Sequence, residues 1–463
     1  MQGRVDDFLA ENNGAAPNRP SRRGFLKLGG GVAVGAAAAP LLSACGGSGG
    51  GGNSRQLSFW NFYGPAPTAN PQSAWFTRLV GDWNKTNDVK IKLRYIANSD
   101  YINGSTLQTS FASGSGPDIF LISPGDFLRY YNGKVLMDLT PHLDASVRSD
   151  FVKGVLDTRT VDNKIYAVPM EIEPLAIYYS IDAFDKAGLN ETDHPKTWDD
   201  FLSVGQKLAG GGRFGTLFET GPGYYQNFTW YPFMWQGNGN AVEPGAKTSA
   251  FDSAAVVQAL SFWQQTQKRN IAPKKALGTG SGDAPANLAA GYAAMQLTGI
   301  WSVADLAQQK PKFRYGVFQL PTPPGGKYVT DGGGWAFAVN AKGANPEAAA
   351  KFVAWALASN TPQSVERGRT WNTVAKSNLP PRTSVQKAAE ARGAFQTGVM
   401  KTFATDIVPG LRSEPRYPPE VYKAISDAIQ STQLTGADPS AATKTAASAI
   451  DTYLQGYSGA PIL

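Results

Sequence analysis

From residue 56 onward, apolar and polar positions fall into blocks that switch between a period of 2 and a period near 3.6. Residues 56–60 read as a strand, and residues 89–96 alternate as another. Between them, residues 71–85 read as a helix, with Asn70 as its N-cap and Pro71 at the first helical position. Residues 100–113 predict a second helix, and Gly116-Pro117-Asp118 turns the chain into a short buried strand over 119–122. Strand–helix–strand–helix–strand predicts an α/β domain with a largely parallel sheet.

A second series begins near Lys164. Residues 165–168 and 175–180 read as strands joined by residues 169–174. Thr197-Trp198-Asp199-Asp200 is a capping-box signal, opening a helix that Gly210 to Gly212 ends. A long helix is predicted over 251–270 and a strand over 293–297, after which Gly299-Ile300-Trp301 opens a further helix. Strands follow over 315–320 and 335–339, the latter preceded by Gly332-Gly333-Gly334. From Pro346 the pattern is helical, ending over 441–453, and no internal repeat is present.

The N-terminal stretch has another pattern. Residues 21–27 (Ser-Arg-Arg-Gly-Phe-Leu-Lys) precede a Gly/Ala-rich apolar run over 28–42, which ends in Leu42-Ser43-Ala44-Cys45. A basic region, a short apolar region and small residues before a cut site predict a secretory signal over 1–44. The run is shorter than the ~20 residues of a spanning helix. Arg22 and Arg23, ahead of Phe25, Leu26 and Lys27, resemble a twin-arginine export signal. Residues 42–45 resemble the bacterial lipobox, which implies cleavage before Cys45 and a lipid on its thiol. The plainer alternative is a Sec signal cut near Ala44. Residues 45–54 then form a flexible Gly/Ser tether, so the expected location is extracytoplasmic, lipid-anchored to the cell membrane.

Composition narrows the function. At ~100–200 residues per domain, the chain beyond residue 44 holds two or three domains. Formal charge is +7, but no Lys/Arg block follows the signal, so a nucleic-acid partner is not expected. Cys45 is the single cysteine, which excludes disulfides. The chain has 11 Trp and 18 Tyr against 2 His, suiting a protein that grips a ligand rather than one that moves protons. His142 and His194 are far apart, and no HExxH, Walker loop or dinucleotide fingerprint occurs, so no metal, cofactor or catalytic residue is expected.

Five motifs in shared order carry a family resemblance. They are Phe59-Trp60-Asn61-Phe62-Tyr63-Gly64; Gly116-Pro117-Asp118-Ile119-Phe120; Tyr166 to Pro169 through Glu173 to Tyr179, with Gly188-Leu189 and Pro195-x-Thr197-Trp198; Gly291-x-Ala293-Ala294-Met295 with Gly299-x-Trp301; and Gly332 to Val339 with Asn345-Pro346-Glu347-Ala348-Ala349. Together they resemble the family 1 extracellular solute-binding proteins, the carbohydrate-binding subunits of ABC importers and relatives of maltose-binding protein. The resemblance implies an α/β clamp of two lobes with interlobe hinge crossings, closing on a sugar as a monomer that docks on membrane permease subunits. Lobe one is placed at 55–168 plus 335–360, and lobe two at 169–334 plus 361–463.

A sugar needs aromatic platforms for its C–H faces and carboxylates, amides or backbone N–H groups for its hydroxyls. Trp60, Asn61 and Tyr63 lie at or beyond the carboxyl end of the first strand, and Ser123 and Asp126 beyond the third, where open α/β sheets bind ligands. Glu171 and Glu173 are two apart and share one side of an extended segment. Such a pair could serve a glycosidase, but on the proposed crossing hydroxyl-accepting carboxylates fit better, and Glu173 matches the family's ligand carboxylate. The resemblance further implies Tyr225, Asn227, Trp301 and the turn Gly333-Gly334-Trp335. Trp230, Trp371 and Arg416 are additional candidates. A phosphorylated polyol such as a glycerophosphodiester is the alternative ligand, and would want Arg369 or Arg416 facing the cleft.

Overall fold

A computed structural model describes residues 54–64, 70–243, 245 and 247–463 of the chain. The signal over 1–44, Cys45 and the tether up to residue 53 lie outside the described residues. No described helix is long and apolar enough to cross a membrane.

Local signals place many of the elements. The Asn70 carboxamide accepts from the N–H groups of Gln72 (2.9 Å) and Ser73 (3.1 Å), starting the helix Pro71–Thr86. Thr197 and Asp200 form the reciprocal capping box of the helix Trp198–Leu208. The single helix expected over 100–113 is two, Asn98–Asn103 and Thr106–Ala112. The break falls at Gly104 and Ser105, and the Asp100 carboxylate spans it by taking the Thr106 hydroxyl (2.8 Å).

Two sheets organise the chain. The first runs in the order Lys90–Tyr95, Gln56–Asn61, Ile119–Ile122, Ala336–Val339, Ala167–Pro169. Its first three strands are parallel, as expected, but Ala336–Val339 runs antiparallel to both of its neighbours. The second sheet is built on Glu173–Ser180. Ala293–Gly299 pairs antiparallel along one edge and carries Phe214–Leu217 beyond it. The other edge takes Thr330–Gly333 at its start and Tyr315–Phe318 at its end. Leu411–Ser413 pairs with Thr330–Gly333 and interrupts the helical C-terminal part. Gly332 and Gly333 are therefore strand residues, not a loop ahead of one. Residues 165–168 divide between the short strands Lys164–Ile165 and Ala167–Pro169.

Each sheet has its own core. Phe59, at the centre of the first, meets Phe337 (centroids 4.8 Å) and Phe76 (5.6 Å) edge-on. Burying such a ring is worth about 1.5–3 kcal/mol. Trp371 and Ala375 also pack in this core. The second core gathers Phe201, Phe218, Phe233, Phe262 and Trp263 under the helices of residues 198–268 and 419–456.

The chain passes between the sheets at three places. Residues 170–172 join Ala167–Pro169 to Glu173–Ser180, and residues 334–335 join Thr330–Gly333 to Ala336–Val339. The third passage follows Ala375 and reaches Leu379, which packs with Ile172 in a separate buried cluster. The passages lie side by side: Ile172 and Leu379 exchange backbone bonds of 2.8 and 3.2 Å, and Gly333 pairs with Glu173. Gly334 (φ +131°) must be glycine, since a Cβ there would lie 2.4 Å from the Glu171 carbonyl oxygen.

Candidate functional site

Beside these passages lies a cavity of about 530 Å³ lined from both sheets. This falls within the roughly 300–1,000 Å³ usual for small-molecule pockets.

One wall is aromatic. Trp301 follows the strand Ala293–Gly299, and its indole folds back over Gly299, where a Cβ would lie 1.9 Å from the ring. Tyr225 and Phe228 are three apart on the helix Tyr224–Gln236 and so share a face. Their ring centroids lie 6.3 and 6.4 Å from that of Trp301. Phe62 and Trp335 form the facing wall, 4.7 Å between centroids, with Tyr63 and Ser123 beside them. The Ser123 and Tyr225 hydroxyls are buried at this wall, the first beside Tyr224 and the second beside Thr298 and Ser281.

The floor is a buried ionic network on the passages. Lys376, 4% exposed, donates to Glu173 (2.5 Å), Glu171 (3.3 Å) and the Tyr63 hydroxyl (3.0 Å). Asn378 donates to both carboxylates, at 2.6 Å to Glu171 and 2.9 Å to Glu173. The Trp371 indole N–H donates to Glu171 at 2.7 Å. Burial and the neighbouring Glu171 push the Glu173 carboxyl up to about 7, against the pull of Lys376. Burial opposes the charged form of Lys376, but the two glutamates outweigh it and hold its pKa above the ordinary value. The second oxygen of Glu173 takes no hydrogen bond from a described group.

Two further carboxylates on the wall are displaced upward. Asp305 sits one helical turn beyond Trp301; its carboxylate takes no hydrogen bond from a described residue and is raised by burial to about 6. Glu414 lies against Gly125 and Gly333, and burial raises it to about 8 despite Arg159. Asp283 also reaches the wall, but its carboxylate is engaged by the N–H groups of Thr279 and Ala286.

Of the residues singled out in the sequence, the cavity wall gathers Tyr63, Ser123, Glu173, Tyr225, Trp301, Gly333, Gly334 and Trp335. The others lie elsewhere, each with a local partner. Trp60 is 6% exposed beneath the Arg94 guanidinium, 4.0 Å from the ring centre. Asn61 caps the Tyr63 N–H at 2.9 Å, and Asp126 pairs with Arg129 at 2.9 Å. Asn227 donates to the Tyr422 carbonyl at 2.7 Å, and Trp230 is fully buried near Phe251. Trp371 is buried behind Glu171. Arg416 is 2% exposed and ties the C-terminal segment down, donating to the carbonyls of Thr160 (2.6 Å) and Pro461 (3.1 Å). Arg369 is engaged by Glu366 (2.7 and 2.8 Å).

Sequence reasoning passed over Phe62, Asp305, Lys376 and Glu414, while Phe228 belongs to the aromatic-rich stretch over 224–235 from which Tyr225 and Trp230 were chosen. Asp305 had a signal, being i+4 from Trp301. Lys376 and Glu414 had none, because only the tertiary fold brings them to the wall.

Among known proteins, an "Uncharacterized lipoprotein in oleD 5'region" of Streptomyces antibioticus is 30% identical over 261 residues, 55% of this chain and 56% of that one. The arabinooligosaccharide-binding protein of Bacillus subtilis is 26% identical over 313 residues, 66% of this chain and 69% of that one. The first of these matches thus spans little more than half of the relative. Among solved structures, the GacH receptor of Streptomyces glaucescens, determined unliganded and with acarbose, superposes with a TM-score of 0.72 at 20% identity, over 87% of this chain and 99% of that one. UgpB from Mycobacterium tuberculosis, in complex with glycerophosphocholine, gives 0.68 at 21%, over 87% and 98%. The fold is that of the two-lobed α/β solute-binding clamps. Residues 66–360 match the family model of the bacterial extracellular solute-binding proteins, and the chain belongs to that family.

Proposed function

We propose that this protein captures a carbohydrate between its two lobes and delivers it to the membrane permease of an ABC importer. The observation that carries this is one cavity in which aromatic rings, neutral polar side chains such as Gln72, Asn98 and Gln308, and a free carboxylate oxygen converge from both sheets. Stacked rings suit the apolar faces of a sugar, and the polar groups suit its hydroxyl rim. The sugar-binding name of the Bacillus relative supports the same class of ligand.

One lobe is the sheet holding Gln56–Asn61, and the other is the sheet holding Glu173–Ser180. Residues 361–375 go with the first lobe, because Trp371 and Ala375 pack there. A ligand touching both walls stabilises the closed form by its differential affinity. The protein works as a monomer, exported through the twin-arginine signal and held at the membrane by a lipid on Cys45. The lipoprotein name of the Streptomyces relative supports that anchor. An affinity of ~µM, about 8 kcal/mol, allows both capture and release.

The glycerophosphodiester ligand of UgpB marks the other reading, but the charge on this wall opposes it. Glu173, Asp283, Asp305 and Glu414 line the cavity against one ammonium, Lys376, already engaged by glutamates. Neither Arg369 nor Arg416 lines the cavity. For the Glu171/Glu173 pair to hydrolyse a glycoside, Glu171 would have to face the guest beside Glu173, but it is 1% exposed and fully engaged behind the wall.

A thermal-shift screen against mono-, di- and oligosaccharides and glycerophosphodiesters tests the proposal. A saccharide that binds only the folded form raises the melting temperature. A rise with glycerophosphodiesters alone would overturn the carbohydrate reading, and turnover of a chromogenic glycoside would overturn the binding role.

A further inference from the structure

Asn378 is 0% exposed on the third passage, and its amide nitrogen donates to Glu171 at 2.6 Å and to Glu173 at 2.9 Å. The same Glu171 oxygen takes the Trp371 indole N–H, and the same Glu173 oxygen takes Lys376. Both oxygens are therefore acceptors, and the amide must turn its nitrogen to them. One planar group thus gives an N–H to each of two carboxyl groups across the neighbouring passage. Its own place is set through Asn372. The Asn378 N–H donates to the Asn372 carbonyl at 2.9 Å, and the Asn372 amide donates to the Met170 carbonyl at 3.1 Å.

The consequence falls on Glu173. Both of its side-chain hydrogen bonds arrive at Oε1, from Lys376 (2.5 Å) and Asn378, which leaves Oε2 without a described donor on a residue that lines the cavity. The two donors differ in kind. The Lys376 ammonium itself lines the cavity, stands on a flexible stem and is shared with Glu171 and Tyr63. The Asn378 amide is short, planar and behind the wall, so it reaches a guest only through Glu173.

We propose that Asn378 is a positioning residue for ligand recognition, holding Oε1 of Glu173 so that Oε2 is turned to accept a hydroxyl of the guest. This rests on the carbohydrate reading above and deepens it. The groups facing Glu173 are Glu171 on its own passage, Lys376 and Asn378 on the third, Tyr63 beyond the first strand, Tyr225 on the aromatic wall, and Glu414. Burial and Glu171 oppose its charged form, while Lys376 and Asn378 favour it, and the balance lies at about 7. Losing one donor at that balance leaves the carboxyl protonated at neutral pH, and a neutral acceptor makes the weaker bond to a hydroxyl.

The test is calorimetric titration of the full-length chain, in mild detergent from pH 6 to pH 9, with maltose, cellobiose, lactose and raffinose. For each sugar that the native protein binds, Asn378→Leu lowers the affinity at least fivefold at pH 7. The pH midpoint of binding moves up by at least one unit, so the loss narrows toward pH 9. The charge of Glu171 works against ionised Glu173, so the double variant Asn378→Leu/Glu171→Gln brings the midpoint back down. A merely structural role for Asn378 would not be mended by that second substitution. Asn378→Ser keeps one donor, shows the same shift in smaller measure, and takes the place of the leucine variant if that chain does not melt cooperatively. A native affinity and midpoint in the Asn378 variants, or a loss equal at every pH, would refute the inference and leave the carbohydrate reading standing. Failure of all four sugars to bind the native protein would overturn that reading and the inference with it.

Discussion

Replacing Lys376 by methionine is the sharpest perturbation of the passages. The ammonium is 4% exposed and faces two carboxylates, Glu171 at 1% and Glu173 at 5%. Removing one member of a buried ionic group leaves the others uncompensated, at a cost of about 3–5 kcal/mol. Asn378 and the Trp371 indole still donate to the carboxylates, which places the expected loss toward the lower end. The loss depends on pH in a definite sense. Glu173 is already raised to about 7 in the folded chain, chiefly by burial, and losing its cation raises it further. A carboxyl raised on folding contributes stability that is full below its unfolded value and is lost as pH rises through its folded value. The deficit of Lys376→Met is thus smaller near pH 5 than near pH 8, and it grows until pH passes the variant's own folded value. Urea unfolding followed by tryptophan fluorescence at both pH values measures it. The double variant Lys376→Met/Glu173→Gln should recover part of the loss at pH 8. A deficit below about 1 kcal/mol at pH 8, or one equal at both pH values, would refute the assignment of a buried charge cluster.

Other outcomes follow from the same geometry. Trp301→Ala should weaken sugar binding by about 2 kcal/mol, roughly thirtyfold, with little change in melting temperature; calorimetry checks it, and an unchanged affinity would remove Trp301 from the site. In the native protein Asp305, Glu173 and Glu414 are raised to about 6, 7 and 8, so ligand-free stability should fall between pH 5 and pH 8.5; a rise in the denaturation midpoint over that range would contradict them. Gly334→Ala should cost more than about 1 kcal/mol, because φ is +131° and the new Cβ would meet the Glu171 carbonyl oxygen; an unaltered midpoint would argue against that turn. Arg416→Ala should lower the melting temperature and leave ligand affinity unchanged, since its guanidinium serves backbone carbonyls; a selective loss of affinity would return it to the site.

What could be read from the sequence was what local chemistry decides. Asn70, Pro71 and the Thr197–Asp200 box start helices through contacts with their own neighbours, and the structure has helices starting there. Trp301 and Glu173 stood out through a family pattern, and both face the cavity. Gly332 and Gly333 were misjudged because a glycine pair resembles a turn, whereas pairing with Glu173 and Pro174, far back in the chain, makes it a strand. Trp60 stood at the right end of the right strand, yet its neighbour across the sheet is Arg94, which covers the ring. Lys376 escaped notice because nothing near it in sequence marks it, and its role comes from carboxylates some two hundred residues earlier.

The three side-by-side passages set the mechanics of any rearrangement. A ribbon three chains wide flexes easily across its thin dimension but resists shear along its length and torsion about it. Motion of one half against the other is thereby confined to essentially a single arc, and a docking permease would meet the same face geometry after each closing stroke. Glu171, Glu173 and Lys376 belong to that ribbon, so whatever flexes it also displaces the charged floor of the cavity.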